Sequence, residues 1–402
     1  MGDRPTLAVV GATGAVGSVA LQLLSQHADV WGEIRLLGAA PGRVEAGRID
    51  AGRIEAGRVP AEGEGEGDSA LVVRGEATPV TPLTRSAFDG VDVALFLVPD
   101  EVSAQWAPVA VEQGAVVVDR SAAFRLDPDV PLVVPELNPE AVRVRPRSIL
   151  ASPGCATLSM IVAVGALDGA FGLRELVVSS YQAASAVDGL DGVDQGGVFA
   201  LREQLSLVAG TDLGTRPGDV RRAVGDATGP FPAPLALNVV PWTGPLQGQR
   251  DGWSAEELAI RAETRKVLGR PELRIVATCV QVPVITAHSM SVHACFEQEV
   301  TVERAHEVLA TSPGVVLFDD PEAGEFPTPA DVVGTDPTWV GRVRRSPDDP
   351  RALELFVCGD DLRKGGALNA VQIAEAVAAE LSGPTGPAGP AGPAGPSGPA
   401  GP

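Results

Sequence analysis

The chain has 402 residues, 45% of them hydrophobic, which is enough apolar material for two substantial domains. Its formal net charge of −21 excludes nucleic acid or an anionic membrane surface as a general partner. No apolar run reaches the roughly 18 residues that a membrane-spanning helix needs.

Met1 leads almost directly into a strand, with no secretory signal pattern. Thr6–Val10 is a short apolar run, followed at once by Gly11-Ala12-Thr13-Gly14-Ala15-Val16-Gly17 and then by helical spacing over Ser18–Leu24. Strand, glycine turn and helix open a βαβ unit: glycines let the backbone approach a pyrophosphate, and the helix N-terminus supplies N–H donors. A merely structural turn is the alternative, and the context favours dinucleotide binding by Gly11, Ala12, Thr13, Gly14, Ala15, Val16 and Gly17. A second strand over Ile34–Gly38 ends without the acid that would hold an unphosphorylated ribose; it runs instead to Arg43, which favours NADP(H) as cofactor. Arg43 also opens a five-residue repeat that continues to residue 67 and reads as an expanded surface loop.

Parallel-sheet signals resume with Val91–Val98 and Ala115–Asp119, separated by a helix around Val102–Gln113. The loop Arg120–Arg125 should face the cofactor crevice, because it leaves the carboxyl end of a strand. Ser152-Pro153-Gly154-Cys155 then leads into an apolar helix over Leu158–Leu167. A thiol at a helix N-terminus is expected to have a depressed pKa and thiolate character, although many cysteines in such places are only small buried residues. The four cysteines, Cys155, Cys279, Cys295 and Cys358, are far apart and show no metal-ligand spacing, so they read as thiols in a reducing, cytoplasmic setting, with no metal.

Beyond Arg174 the runs become longer and β-rich: Leu176–Gln182, Leu235–Pro241, Arg274–Val284, His288–Glu297 and Leu353–Cys358, with a helix near Ala255–Leu268. Leu362–Leu381 reads as a terminal helix packing back on the nucleotide domain, and residues 383–402 as a collagen-like, disordered Gly-Pro-x tail. The fold class is therefore α/β, with a Rossmann-type dinucleotide-binding domain plus an α+β catalytic and dimerisation domain on a mixed sheet. The expected division is 1–154 (insert 42–67), completed by helix 362–382, then 155–361 and the tail.

In the blocks Gly11–Gly17, Ser121–Pro135, Cys155 with its flanks, Ser180–Ala183, Asn238–Pro241, Ala277–His288 and Gly359–Asn369, the chain resembles the aspartate-β-semialdehyde dehydrogenase family. The resemblance implies NADP-dependent reductive dephosphorylation of L-aspartyl-4-phosphate to the semialdehyde, in aspartate-family amino-acid biosynthesis. It gives Cys155 the role of nucleophile, Gln182 that of orienting the acyl intermediate, and His288 that of acid–base residue. Arg125 matches a phosphate-binding arginine, and Glu256 an acid that meets the substrate ammonium. Ser185 and Asp361 fall at the nicotinamide end. Small-molecule partners are implied (an acyl phosphate or aldehyde, with inorganic phosphate), as is a homodimer or homotetramer.

The departures fall within the site. Gly154 stands where the family has Asn, Gln281 where it has the arginine that clamps the substrate carboxylate, Ala259 where it has a phosphate-binding lysine, and Arg120 where it has Asn. Each lost charge-assisted contact is worth about 1.5–3 kcal/mol. Three readings stay open: a working member of the family, a related acyl-phosphate or aldehyde oxidoreductase with another substrate, and a catalytically weak paralogue with a binding or regulatory role.

Overall fold

A computed structural model describes residues 4–27, 30–38, 59–60, 69–188, 196–244 and 251–383. Arg43, most of the repeat insert and all but the first residue of the Gly-Pro-x tail lie outside the described residues.

The first half is an eight-stranded sheet of β1 (Leu7–Val10), β2 (Ile34–Gly38), β3 (Val59–Pro60), β4 (Ser69–Val73), β5 (Glu76–Pro82), β6 (Val93–Phe96), β7 (Val116–Asp119) and β8 (Ile149–Ala151). The order is β3-β4-β5-β2-β1-β6-β7-β8; the run from β5 to β8 is parallel, and β4 and β3 add an antiparallel edge. Alternation along β1 sends Leu7 and Val9 into one apolar layer and Ala8 and Val10 into the other, so both faces are covered. Helices α1 (Ala15–Gln26) and α9 (Asn369–Ser382) cover the first face. Helix α2 (Asp100–Glu112) joins the layer on the second.

The expectation for Leu362–Leu381 is borne out as a π-helical turn, Arg363–Leu368, running into α9. Ile373 and Val377 are fully buried beneath the sheet, each contributing about 1.5–3 kcal/mol.

The second sheet has the order β10-β9-β11-β14-β13-β12, built from β9 (Leu173–Gln182), β10 (Arg274–Gln281), β11 (His288–Phe296), β12 (Val315–Leu317), β13 (Thr338–Arg345) and β14 (Ala352–Gly359). β9 and β10 run parallel while β11 is antiparallel to both β9 and β14, so the sheet is mixed as expected. Leu176, Val178, Ile275 and Ala277 point inward, whereas Val177, Tyr181, Val276 and Thr278 line an opposite face that no helix among the described residues fully covers.

Helix α3 (Cys155–Phe171) joins the two halves. It is apolar all round because each side has a sheet to meet: Leu158, Ile161 and Val162 enter the first core, and Met160, Val164 and Phe171 the second. Helix α6 (Ala255–Val267) lies beside it, opened by a capping box between Ser254 and Glu257. Helices α4 (Gly196–Val208) and α5 (Asp219–Val224) form a satellite core, α7 (Val302–Thr311) packs on the second sheet, and α8 (Pro329–Val332) is a single turn.

The strand expected over Leu235–Pro241 does not form. Gln204 Oε1 accepts the N–H groups of Leu235 (2.7 Å) and Ala236 (3.0 Å), and Leu237 sits at φ 55°, outside any strand. Only Val240 pairs with a strand, through a bridge to Gln281.

Candidate active site

Cys155 is the first residue of α3, and its N-terminal cap is Gly154, which has no side chain to offer. The capping group comes from elsewhere. Glu263 of α6 accepts the Gly154 N–H (2.8 Å) and the Thr157 hydroxyl (2.6 Å) on Oε2, and Arg125 Nη1 (3.2 Å) on Oε1. A carboxylate thus already occupies the positive end of the helix dipole beneath the thiol. A Cβ placed on Gly154 would lie 3.0 Å from Arg125 Nη1 and 3.3 Å from Glu263 Oε2, so an asparagine at 154 would press on this pair.

His288 opens β11 and brings its Nε2 to 3.3 Å from Cys155 Sγ. Its other nitrogen, Nδ1, accepts the backbone N–H of Ala183 at 3.2 Å. With Nδ1 engaged as an acceptor, the neutral ring carries its proton on Nε2, so the imidazole presents an N–H to the sulfur. Gln182, the residue before Ala183, is buried at the end of β9, donates Nε2 to Ser180 Oγ (3.2 Å), and lies in register with Gln281 of β10. The end of β9 therefore holds the imidazole and presents the amide together.

The depressed thiol pKa expected from the helix terminus is not what the site gives. Burial pushes the Cys155 thiol up to about 12, with Glu256 and Asp361 adding to the rise and Arg120 and Arg125 pulling against it. Desolvation wins because Glu263 already answers the dipole and two further carboxylates face the sulfur. Glu256 is itself held above the usual carboxylate range by burial and then by Glu263, opposed by Arg125 and His288. An acid whose pKa is raised stays protonated until the pH climbs to it. Alkylation of Cys155 by iodoacetamide in the substrate-free enzyme should therefore rise about tenfold per pH unit between pH 7 and 10. A rate already level by pH 7 would contradict this.

Ser185 and Asp361 meet: the serine hydroxyl donates to Asp361 Oδ2 at 2.7 Å, while Oδ1 accepts the Ala287 N–H at 2.7 Å. The π-helical turn that follows links the two halves. A Cβ on Gly365 would lie 3.0 Å from Cys155 Cβ, and one on Gly366 would lie 3.5 Å from Val16 Cγ1 at the glycine loop. One turn of chain thus touches both the nucleophile and the nucleotide loop. It is fixed by Lys364, buried and bonded to both Glu136 oxygens (2.7 Å each), Asn369 (3.0 Å) and Gln372 (2.9 Å). Asn369 in turn donates to Val133 O and Ser152 Oγ, both at 2.9 Å, next to the Cys155 loop.

The loop itself suits a dinucleotide. Gly11 has φ +90°, and a Cβ on Gly17 would lie 2.2 Å from Gly11 O, so neither position accepts a side chain. The first turn of α1 carries no acid to repel a pyrophosphate. Among the described residues no group of three His, Cys, Asp or Glu side chains could hold a metal ion. Among the described residues no helix is long and apolar enough to cross a membrane.

Of the residues expected from sequence, the fold brings together Cys155, His288, Gln182, Ser185, Asp361, Arg125, Glu256 and Gln281; Arg43 lies outside the described residues. Sequence reasoning missed Glu263. Its signal was available, since Glu256 and Glu263 are seven residues apart and so share one face of a helix.

A parallel-sheet half is thus joined, through a helix that opens on a thiol, to a mixed sheet that supplies an imidazole. Residues 6–144 match the model of the semialdehyde dehydrogenase NAD-binding domain, and residues 164–364 that of the semialdehyde dehydrogenase dimerisation domain. The aspartate-semialdehyde dehydrogenase of Corynebacterium glutamicum is 38% identical over 377 residues, 92% of this chain and 98% of that protein. That of Prochlorococcus marinus is 36% identical over 374 residues, 93% and 96% of the two chains. The crystal structure of aspartate semialdehyde dehydrogenase II from Vibrio cholerae, complexed with ASA, superposes with a TM-score of 0.77 at 31% identity, covering 93% of this chain and 98% of that one. The chain belongs to the aspartate-semialdehyde dehydrogenase family, and it is an enzyme with the NAD(P)-binding and dimerisation domains of that family.

Proposed function

We propose that the protein catalyses the NADP-dependent reduction of L-aspartyl-4-phosphate to L-aspartate-4-semialdehyde, with release of inorganic phosphate, through a thioester on Cys155. The observation that carries this reading is the thiol–imidazole pair, Cys155 Sγ to His288 Nε2 at 3.3 Å, at the junction of the two halves of a family member.

The Cys155 thiol first loses its proton to solvent, and the His288 Nε2–H and the positive charges of Arg120 and Arg125 favour the resulting thiolate. The sulfur attacks the acyl carbon, forming C–S as the C–O bond to phosphate breaks; phosphate leaves with the electron pair and takes up a proton from water. A reduced nicotinamide cofactor bound there would supply the hydride, and Gly11–Gly17 would hold its pyrophosphate. The oxyanion left on the reduced carbon is the acceptor for the same Nε2–H. It then reforms the carbonyl as the C–S bond breaks, releasing the aldehyde and returning the thiolate. The Gln182 amide orients the acyl group from the end of β9, and Glu256 meets the substrate ammonium.

The absence of an acid in or after β2 favours NADP over NAD, with Arg43 as the contact for the 2′-phosphate. The half-exposed face of the second sheet, with Val177, Tyr181, Val276 and Phe356, is where a second copy would pack to make a homodimer. Residues 1–154 with the C-terminal helix form the nucleotide domain, and 155–361 the catalytic and dimerisation domain. Four free thiols fit a cytoplasmic enzyme.

The test is the reverse assay: aspartate semialdehyde, inorganic phosphate and either NADP⁺ or NAD⁺, followed by nicotinamide absorbance. Phosphate-dependent turnover with at least about tenfold preference for NADP⁺ is expected, the size of one charge-assisted contact. One observation favours a second reading: Gln281 Oε1 is buried without a hydrogen-bond partner where the family clamps a carboxylate. Faster turnover of 3-aminopropanal, which lacks that carboxylate, would move the assignment to another aldehyde.

A further inference from the structure

The chain carries Ala259 and Gln281 where the family resemblance implies cations, and Arg120 where it implies asparagine. Arg120 directly follows β7, in a loop shaped by Asp119, whose carboxylate accepts from Ser103 Oγ (2.5 Å), the Ser121 N–H (3.0 Å) and Ser121 Oγ (2.8 Å). Its backbone is tied to its neighbour, the Arg120 carbonyl accepting from Arg125 Nη2 at 2.6 Å.

Its side chain is not tied. Arg120 Nε is buried with no hydrogen-bond partner, and among the described residues the guanidinium forms no ion pair. A buried, unpaired charged donor costs free energy and calls for an explanation. The charges around it are the Cys155 sulfur first, then Arg125, Asp188 and Asp361.

Arg125 is in the opposite condition. Its Nε donates to Ser152 O (2.9 Å), Nη1 to Glu263 Oε1 (3.2 Å) and Nη2 to Arg120 O (2.6 Å), so much of its charge and geometry is already committed. An anion arriving at the sulfur therefore meets one occupied guanidinium and one open one.

We propose that Arg120 is the phosphate anchor of this enzyme: its unpaired guanidinium beside Cys155 binds the phosphoryl group and stands in for the cation missing at 259. The inference rests on the acyl-phosphate reading above and names the residue that reading leaves out. A phosphate leaving the carbon attached to Sγ must depart within reach of the charges gathered round Sγ, and Arg120 is the member of that set with donors to spare. The substrate carboxylate lies farther along the substrate from the reacting carbon, so it falls to other residues.

Wild type, Arg120→Ala, Arg120→Asn and Arg120→Lys should be compared in the full chain, with thermal unfolding to establish that each folds; asparagine is the residue of the family pattern and is the variant to rely on should alanine fail. Two readouts are taken. In the reverse reaction, the KM for inorganic phosphate should rise at least about tenfold in the alanine and asparagine variants, with the semialdehyde KM changed by less than about threefold and partial recovery in lysine. Without turnover, inorganic phosphate should protect the Cys155 thiol from iodoacetamide in wild type and lose that protection in Arg120→Asn. A rise confined to the semialdehyde KM would make Arg120 a carboxylate contact and overturn the proposal, as would variants whose phosphate KM and protection match wild type. Wild type that is protected by phosphate through Arg120 yet does not turn over the semialdehyde would leave the anion site standing and remove only the assigned reaction.

Discussion

Replacing Cys155 by alanine should reduce turnover by at least about 10⁴-fold, while nucleotide binding stays within about twofold of wild type. The size of the effect follows from the mechanism: no other thiol is available, because Cys279 and Cys358 are fully buried, whereas Cys155 is half-buried and meets the His288 imidazole. Cys295 is also buried and pairs with His293 at 3.1 Å on a different part of β11. The fold should survive. The first turn of α3 is held through Gly154 N and Thr157 Oγ1 by Glu263, none of which involves the sulfur. Steady-state turnover, a nucleotide titration and a melting curve check the three parts of this expectation. Residual turnover within about tenfold of wild type would be incompatible with a covalent route.

The second large effect concerns His288, and its value lies in separating two jobs. A ring that accepts the Ala183 N–H at Nδ1 presents a proton from Nε2 to the sulfur, so its principal contribution is as a donor. His288→Ala should lower turnover by about 10²–10⁴-fold, the usual range for a positioned proton donor or acceptor. His288→Gln, which keeps an N–H at roughly the same reach, should recover at least about tenfold of that loss. A histidine that acted mainly by accepting the thiol proton would leave glutamine no better than alanine. The rate of Cys155 alkylation gives the second readout, since losing the donor should slow it in alanine more than in glutamine.

The nucleotide half was the more legible part of the sequence. Leu7–Val10, Ile34–Gly38, Val93–Phe96 and Val116–Asp119 form where short β-branched or aliphatic runs announce strands covered on both faces. Leu235–Pro241 announced one in the same way and fails, because its backbone donors are taken by the distant Gln204 side chain. Strand β13 went unread for the converse reason: Thr338–Arg345 is half polar, is broken in register after Gly341, and has Arg342 at φ 54°, so its pattern has no clean period. In the site, Cys155 and His288 were readable from their flanks. The ionisation of the sulfur was not, because it depends on Glu256, Asp361, Arg120 and burial, all of them supplied from elsewhere in the chain. Glu263 shows the same limit: spacing places it on a face with Glu256, but only packing shows that this face meets the first turn of α3.

The departures at 154, 259 and 281 also change meaning once the structure is seen. Gly154 lies where a larger side chain would collide with the Arg125–Glu263 pair. Arg120, where the family pattern has asparagine, adds a positive charge that acts on the Cys155 sulfur.

The most direct measurement is mass spectrometry of the enzyme incubated with aspartate semialdehyde and NADP⁺ in phosphate-free buffer, where hydride leaves but no acceptor releases the acyl group. The account predicts one added aspartyl group, located on the Cys155 peptide and discharged when inorganic phosphate is supplied. Nicotinamide reduction with the Cys155 peptide unmodified, or with the acyl group on another residue, would contradict it.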